Sequence, residues 1–174
     1  MLSAVVIVPT QPVRGSSRTL ADAMVRTLAS LVPAAIEGVL RDVTIAAPAG
    51  HSGMERIADH AGCELIEAEN QKTALLKALN ATRESNVFLI PAGRAPETGF
   101  ADELAEMIGD GLRLARMRER PYNFSTRLFP AIAPVSAVLA PREALAAVAA
   151  NDFRAIVSGL GRAPTLRIRA RRVD

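Results

Sequence analysis

Tryptophan is absent from this chain of 174 residues, and tyrosine and cysteine occur once each. A single cysteine, Cys63, cannot close an internal disulfide. With only two histidines, His51 and His60, it also leaves a structural zinc site short of ligands. The fold must therefore rest on burial, which a chain of this length achieves as one domain spanning residues 1–174. Aromatic residues make up 3% of the chain and Tyr122 is the sole tyrosine, so the stacking platform of a single-strand nucleic-acid binder is not expected. Long apolar runs are missing too. The first, residues 4–8, closes at Pro9, too early for a signal peptide or a spanning helix, and reads as the first strand of a cytoplasmic protein. Neither G-x-x-x-x-G-K-[ST] nor G-x-G-x-x-G follows that strand.

What the chain has in excess is arginine, unevenly placed. Net charge is +3, but residues 1–110 carry 9 basic and 14 acidic side chains, whereas residues 111–174 carry 12 basic, all arginine, and 4 acidic. Such asymmetry has two readings: an anionic partner such as phosphate, a lipid head group or nucleic acid, or simply the arginine-rich composition of a GC-rich genome. The clearest instance is T-L-R-I-R-A-R-R at 165–172. Leu166, Ile168 and Ala170 alternate there with Arg167, Arg169 and Arg171, a strand with one buried and one cationic face. With Arg172 it forms a candidate docking surface, which would hold the protein at the periphery of the inner membrane.

The stretch that organises the chain is N-V-F-L-I-P-A-G-R-A-P-E-T-G, residues 86–99. Residues 87–90 are apolar without alternation and too few for a buried helix, as in a strand covered on both faces. Ligands in such sheets sit at the carboxyl ends of strands, which directs attention to residues 91–96. Around this strand, short strands and helices alternate. Strands are expected at 43–47 and 64–66, and helices from Leu20 to a stop at Pro33, at 54–61 closed by Gly62, and at 72–81. Thr19 and Asp22 have capping-box spacing. After a helix over 100–108 the rhythm breaks. A strand at 112–117 leads into R-E-R-P-Y-N-F-S-T-R-L-F-P-A-I-A-P, an irregular crossover. A strand at 136–140 and helices at 142–150 and 153–160 precede the arginine strand. The class is α/β: a single open, mostly parallel sheet flanked by helices, with a reduced C-terminal part.

Candidate site residues cluster where strands end. Pro9 and Thr10 close the first strand, and R-G-S-S-R behind them offers backbone amides and the guanidinium groups of Arg14 and Arg18 near a helix start, an arrangement that holds phosphate. Gly50 and His51 follow the second strand, with His51 placed as a proton carrier or phosphate contact or as an ordinary surface residue. Gly93 and Arg94 follow the central strand. Asp152 is an N-cap for the helix after it and, in a second reading, a general base.

In this order the pieces A-V-V-I-V-P-T, V-F-L-I-P-A-G-R-A-P-E-T-G-F-A-D-E and L-G-R-A-P-T-L-R-I-R-A-R-R-V resemble bacterial family-two glycosyltransferases of the GT-A, nucleotide-diphospho-sugar-transferase-like fold, in a short subgroup. The resemblance implies transfer of a sugar from a nucleotide diphosphate. In that family an acid after the second strand contacts the nucleoside, an Asp-x-Asp after the central strand holds a divalent metal (Mn or Mg), and a late acid deprotonates the acceptor. Here the first position falls on Ala47 and Pro48, the metal motif on Pro91, Ala92 and Gly93, and a late Gly-Asp-Gln-like element near Pro134, Val135 and Ser136. Only Asp152 lies near the late acid. Prolines and glycines supply no side-chain oxygen for a hard cation, so no metal ligand is expected, and Arg14, Arg18 and Arg94 stand where cations could replace it. Three readings stay open: a transferase binding a nucleotide-sugar, a degenerate relative serving as a binding module, and a docking protein using the arginine strand.

Overall fold

The computed structural model describes residues 1–9, 19–111, 113–122 and 124–173. Its framework starts from β1 (Leu2–Ile7), buried at every position, which pairs in parallel with β2 (Leu40–Pro48) on one side and β4 (Asn86–Pro91) on the other. Both faces of β1 and β4 are covered, so their apolar runs need no alternation. β3 (Glu64–Ala68) extends the parallel set beyond β2. On the other side β7 (Val135–Pro141) runs antiparallel to β4, and β6 (Ala115–Glu119) runs antiparallel to β7. β8 (Thr165–Arg172) lies parallel to β6, and the three-residue β5 (Arg94–Pro96) closes the far edge antiparallel to β8. The order is β3-β2-β1-β4-β7-β6-β8-β5, parallel at four of seven contacts.

Helices cover both faces. On one, α1 (Leu20–Ile36), α2 (Met54–Ala61) and α4 (Phe100–Gly109) bury Met24, Leu28, Leu31, Met54 and Leu104 against Val6, Phe88 and Ile90. On the other, α3 (Gln71–Ala81), α6 (Arg142–Ala147) and α7 (Phe153–Gly159) bury Leu75, Leu79, Leu145 and Ile156 against Val5, Ile7 and Leu89. The Thr19–Asp22 capping box forms in both directions, and Gly62 ends α2 at φ 66°, a left-handed turn that glycine adopts without strain.

Several elements differ from the sequence reading: the helix expected over 142–150 ends at Ala147, and residues 94–96, expected in a loop, form β5. α1 runs through Pro33 to Ile36 instead of stopping there. Proline removes the hydrogen bond to the carbonyl of Ala29, and both residues are solvent-exposed, so water replaces the lost donor. The strand expected from 112 begins at Ala115 and reaches Glu119. The irregular crossover contains a helical turn, α5 (Phe124–Leu128), and a 3-10 turn at Pro130–Ile132.

Phe88 is fully buried and its ring meets that of Phe100 with centroids 4.7 Å apart. Phe88→Ala is expected to lower unfolding free energy by about 3–5 kcal/mol, read from urea denaturation.

Candidate functional site

The connection that makes β1 the sheet's divide also makes its ligand edge. From β1 the chain steps outward to β2 and β3, then returns to add β4 on the opposite side of β1. The carboxyl ends of β1 and β4 therefore diverge at a switch in strand order, where open α/β sheets leave a crevice. A cleft of about 350 Å³ occupies it, lined by Ile7, Val8, Pro9, Pro91, Asn151, Asp152, Phe153 and Arg154.

Local structure explains how Asp152 reaches this cleft. The Asn151 side-chain oxygen accepts from Lys72 N–H at 2.8 Å, capping α3 and fixing the approach to α7. Asp152 occupies the α7 N-cap, yet its side chain makes no cap hydrogen bond. The carboxylate is exposed at the cleft, two residues from the Arg154 guanidinium. Thus Pro9 and Asp152, 143 positions apart in sequence, line one cleft, as do Pro91 and Arg154.

Gly50 and His51 lie elsewhere. They share a shallow hollow of about 310 Å³ with Ser52, Gly53, Glu55 and Glu67, on the β2–β3 side of the same edge. Ala49 N–H donates to Ala68 O at 2.7 Å, which holds this loop toward β3. Thr10, Arg14 and Arg18 fall outside the described residues.

Gly93 and Arg94 sit at the turn from β4 into β5. Gly93 has φ 89°, a left-handed backbone that disfavours any side chain, and its N–H donates to Thr27 Oγ1 at 2.9 Å. Its carbonyl accepts from Val173 N–H at 3.1 Å and Arg94 Nη1 at 3.0 Å. Neither Pro91, Ala92 nor Gly93 carries a side-chain oxygen, and the Gly93 carbonyl is occupied by two donors. Among the described residues no three His, Cys, Asp or Glu side chains gather to hold a cation. A carboxylate-held divalent metal does not fit this turn.

The turn is built around a different charge arrangement. Glu119, at the end of β6 and 2% exposed, accepts from Arg94 Nε at 2.8 Å through Oε1 and from Arg172 Nε at 2.9 Å through Oε2. Opposite pairing of Arg94 with Arg172 across β5 and β8 brings both guanidinium groups to one carboxylate. The Arg172 guanidinium also stacks 4.4 Å above the Tyr122 ring. Arg172 also lines a hollow of about 350 Å³ with Arg26, Ala29, Ser30, Arg171 and Val173, separate from the switch-point cleft. The strand arginines do not form a uniform row: Arg167 and Arg171 are exposed, Arg169 is half-buried, and Arg172 is engaged by Glu119.

Sequence reasoning missed Asn151, Phe153 and Arg154 in the cleft, and Glu119 behind the turn. Glu119 did leave a signal, as the one acid among residues 111–142 in a segment rich in arginine. A further hollow of about 540 Å³, between α1 and α2, is mostly apolar and does not involve the residues that line the switch-point cleft.

No protein-family model and no curated protein sequence matches the chain. Solved structures do. Glucosyl-3-phosphoglycerate synthase from Mycobacterium tuberculosis, in complex with Mn2+, uridine diphosphate and phosphoglyceric acid, superposes with a TM-score of 0.62 at 16% identity, covering 94% of this chain and 67% of that one. The same enzyme with phosphoglyceric acid alone gives 0.63 at 15% identity, over 94% and 69%. A mycobacterial protein gives 0.59 at 16%, over 98% and 64%. At these identities the likeness shows the fold, that of the GT-A nucleotide-diphospho-sugar transferases.

Removing the Glu119 carboxylate takes an ion-pair partner from two arginines, one of them largely buried. Glu119→Ala is expected to cost about 3 kcal/mol in a urea unfolding experiment. A loss under about 1 kcal/mol would mean that solvent already screens the cluster.

Proposed function

We propose that this chain binds a nucleotide-diphospho-sugar, or a phosphorylated ligand of similar build, in the switch-point cleft, and does so without a carboxylate-held metal. The observation that carries the reading is the cleft itself: a GT-A-type sheet places its crevice between Pro9 and Pro91, with Asp152 and Arg154 on its wall. The neighbours in M. tuberculosis were solved with uridine diphosphate and a phosphorylated acid, which supports a ligand of this class.

Each residue then has a role. Arg154 neutralises a phosphate by charge-assisted hydrogen bonds. Arg94 borders the turn after β4, where it is held by Glu119. Gly50 and His51 border the nucleoside side. Asp152, with no cap to satisfy, is the group available to take a proton from an acceptor hydroxyl.

A second reading follows from the same turn. Stabilising the leaving diphosphate is the main electrostatic task in such transfers, and losing that clamp costs orders of magnitude in rate. Pro91, Ala92 and Gly93 cannot supply it, which favours a homologue that binds without turning over.

Calorimetric titration with UDP-glucose and GDP-mannose, each with and without Mn2+, tests the first statement. Binding is expected in both conditions, and Arg154→Ala is expected to weaken it roughly tenfold. No binding of either, or binding only when Mn2+ is added, would sink it. Release of free nucleotide diphosphate on adding acceptors separates the two readings; in the transferase, Asp152→Asn keeps affinity and loses turnover.

A further inference from the structure

The described chain spends three of its six aromatic residues on solvent. Phe124 is 81% exposed, Phe129 59% and Tyr122 53%, and they lie among Leu128 and Ile132, each 59% exposed. Five of the nine large apolar side chains that the described residues expose thus fall within residues 122–132. Scattered exposed apolar groups are ordinary, but a run of them is the mark of a contact surface.

The same segment is cationic. Arg127 is exposed within it, Arg120 just before it is exposed and paired with Glu97 at 3.5 Å, and the 111–174 half carries 12 arginines against 4 acids. Side chains are held apart from the core by the local fold: Thr126 alone is buried in α5, and its hydroxyl accepts from Tyr122 N–H at 3.2 Å, closing the turn. Tyr122 is in turn fixed under Arg172, whose Nε is bound to Glu119. The segment is therefore anchored at its start and presents its apolar tips outward.

We propose that the surface bearing Phe124, Leu128, Phe129 and Ile132 docks the protein on an anionic lipid bilayer, these side chains entering the interface and Arg127 meeting lipid phosphates. Apolar insertion joined to basic side chains is the combination that holds interfacial segments on anionic membranes. A single-stranded nucleic acid fits less well, because Leu128 and Ile132 have no ring on which a base stacks. A second copy of this chain would bring like-charged arginines together.

Topology gives the docking a direction. β6 runs parallel to β8 and antiparallel to β7, which is itself antiparallel to β4, so β6 ends at the edge where β1 and β4 end. The docking surface follows β6 and so lies toward that same edge of the sheet. The proposal stands whether or not a nucleotide-sugar occupies the switch-point cleft.

Flotation with vesicles of phosphatidylcholine alone, and of phosphatidylcholine with phosphatidylglycerol, tests the proposal. The protein is expected to float with the anionic vesicles, far less with the neutral ones, and progressively less as salt rises. Phe124→Ser with Phe129→Ser should weaken binding at least roughly tenfold with an unchanged thermal melt, since both rings are exposed; Arg127→Glu should weaken it roughly fivefold. No flotation with anionic vesicles, or full flotation of the double variant, would overturn the assignment. So would loss, in that variant, of oligo-dT binding or of concentration-dependent self-association in a protein that never floats.

Discussion

Parallel pairing of β1 on both its flanks is the constraint from which the rest of the molecule follows. A strand buried on both faces and hydrogen-bonded on both sides cannot be an edge, so the chain must build outward in two directions from it. Building outward in two directions creates the switch in strand order, and the switch creates the crevice at the carboxyl edge. The site is in this sense a consequence of topology before any functional side chain is placed. Asp152 and Arg154 arrive there because Asn151 caps α3, itself a structural contact.

The turn after β4 carries no side-chain oxygen at Pro91, Ala92 or Gly93. A carboxylate pair for a metal would require side chains at Pro91 and Gly93, and Gly93 adopts a left-handed conformation that resists one. The sheet carries buried Glu119 between Arg94 and Arg172. The Arg154 guanidinium lining the cleft and a divalent ion both carry positive charge, but they differ in kind. Arginines are permanently charged, directional and part of the fold, whereas a metal needs a ligand cage that this turn does not supply.

Much of the architecture was legible in the sequence. The apolar runs of β1 and β4, the Thr19–Asp22 cap and Gly62 are signals contained within a few residues, and each formed as read. What escaped was non-local. β5 is three residues long and exists only because β8, more than 70 positions later, lies beside it. Pro33 reads as a stop unless its exposure is known. The cleft partners Pro9 and Asp152 carry no shared motif, and Glu119 gains its importance from two arginines that only strand pairing brings together. Arg94 was picked out as a cation at the sheet edge; its engagement by Glu119 could be seen only in the fold.

The account's central claim is that the crevice between β1 and β4 is the ligand site and needs no metal. The most direct measurement is amide chemical-shift mapping by NMR with UDP-glucose in chelator-treated buffer. The account predicts perturbations concentrated at Val8, Asn151, Asp152 and Arg154, unchanged when Mg2+ is added. Perturbations confined to the hollow between α1 and α2, or appearing only after the cation is supplied, would contradict it.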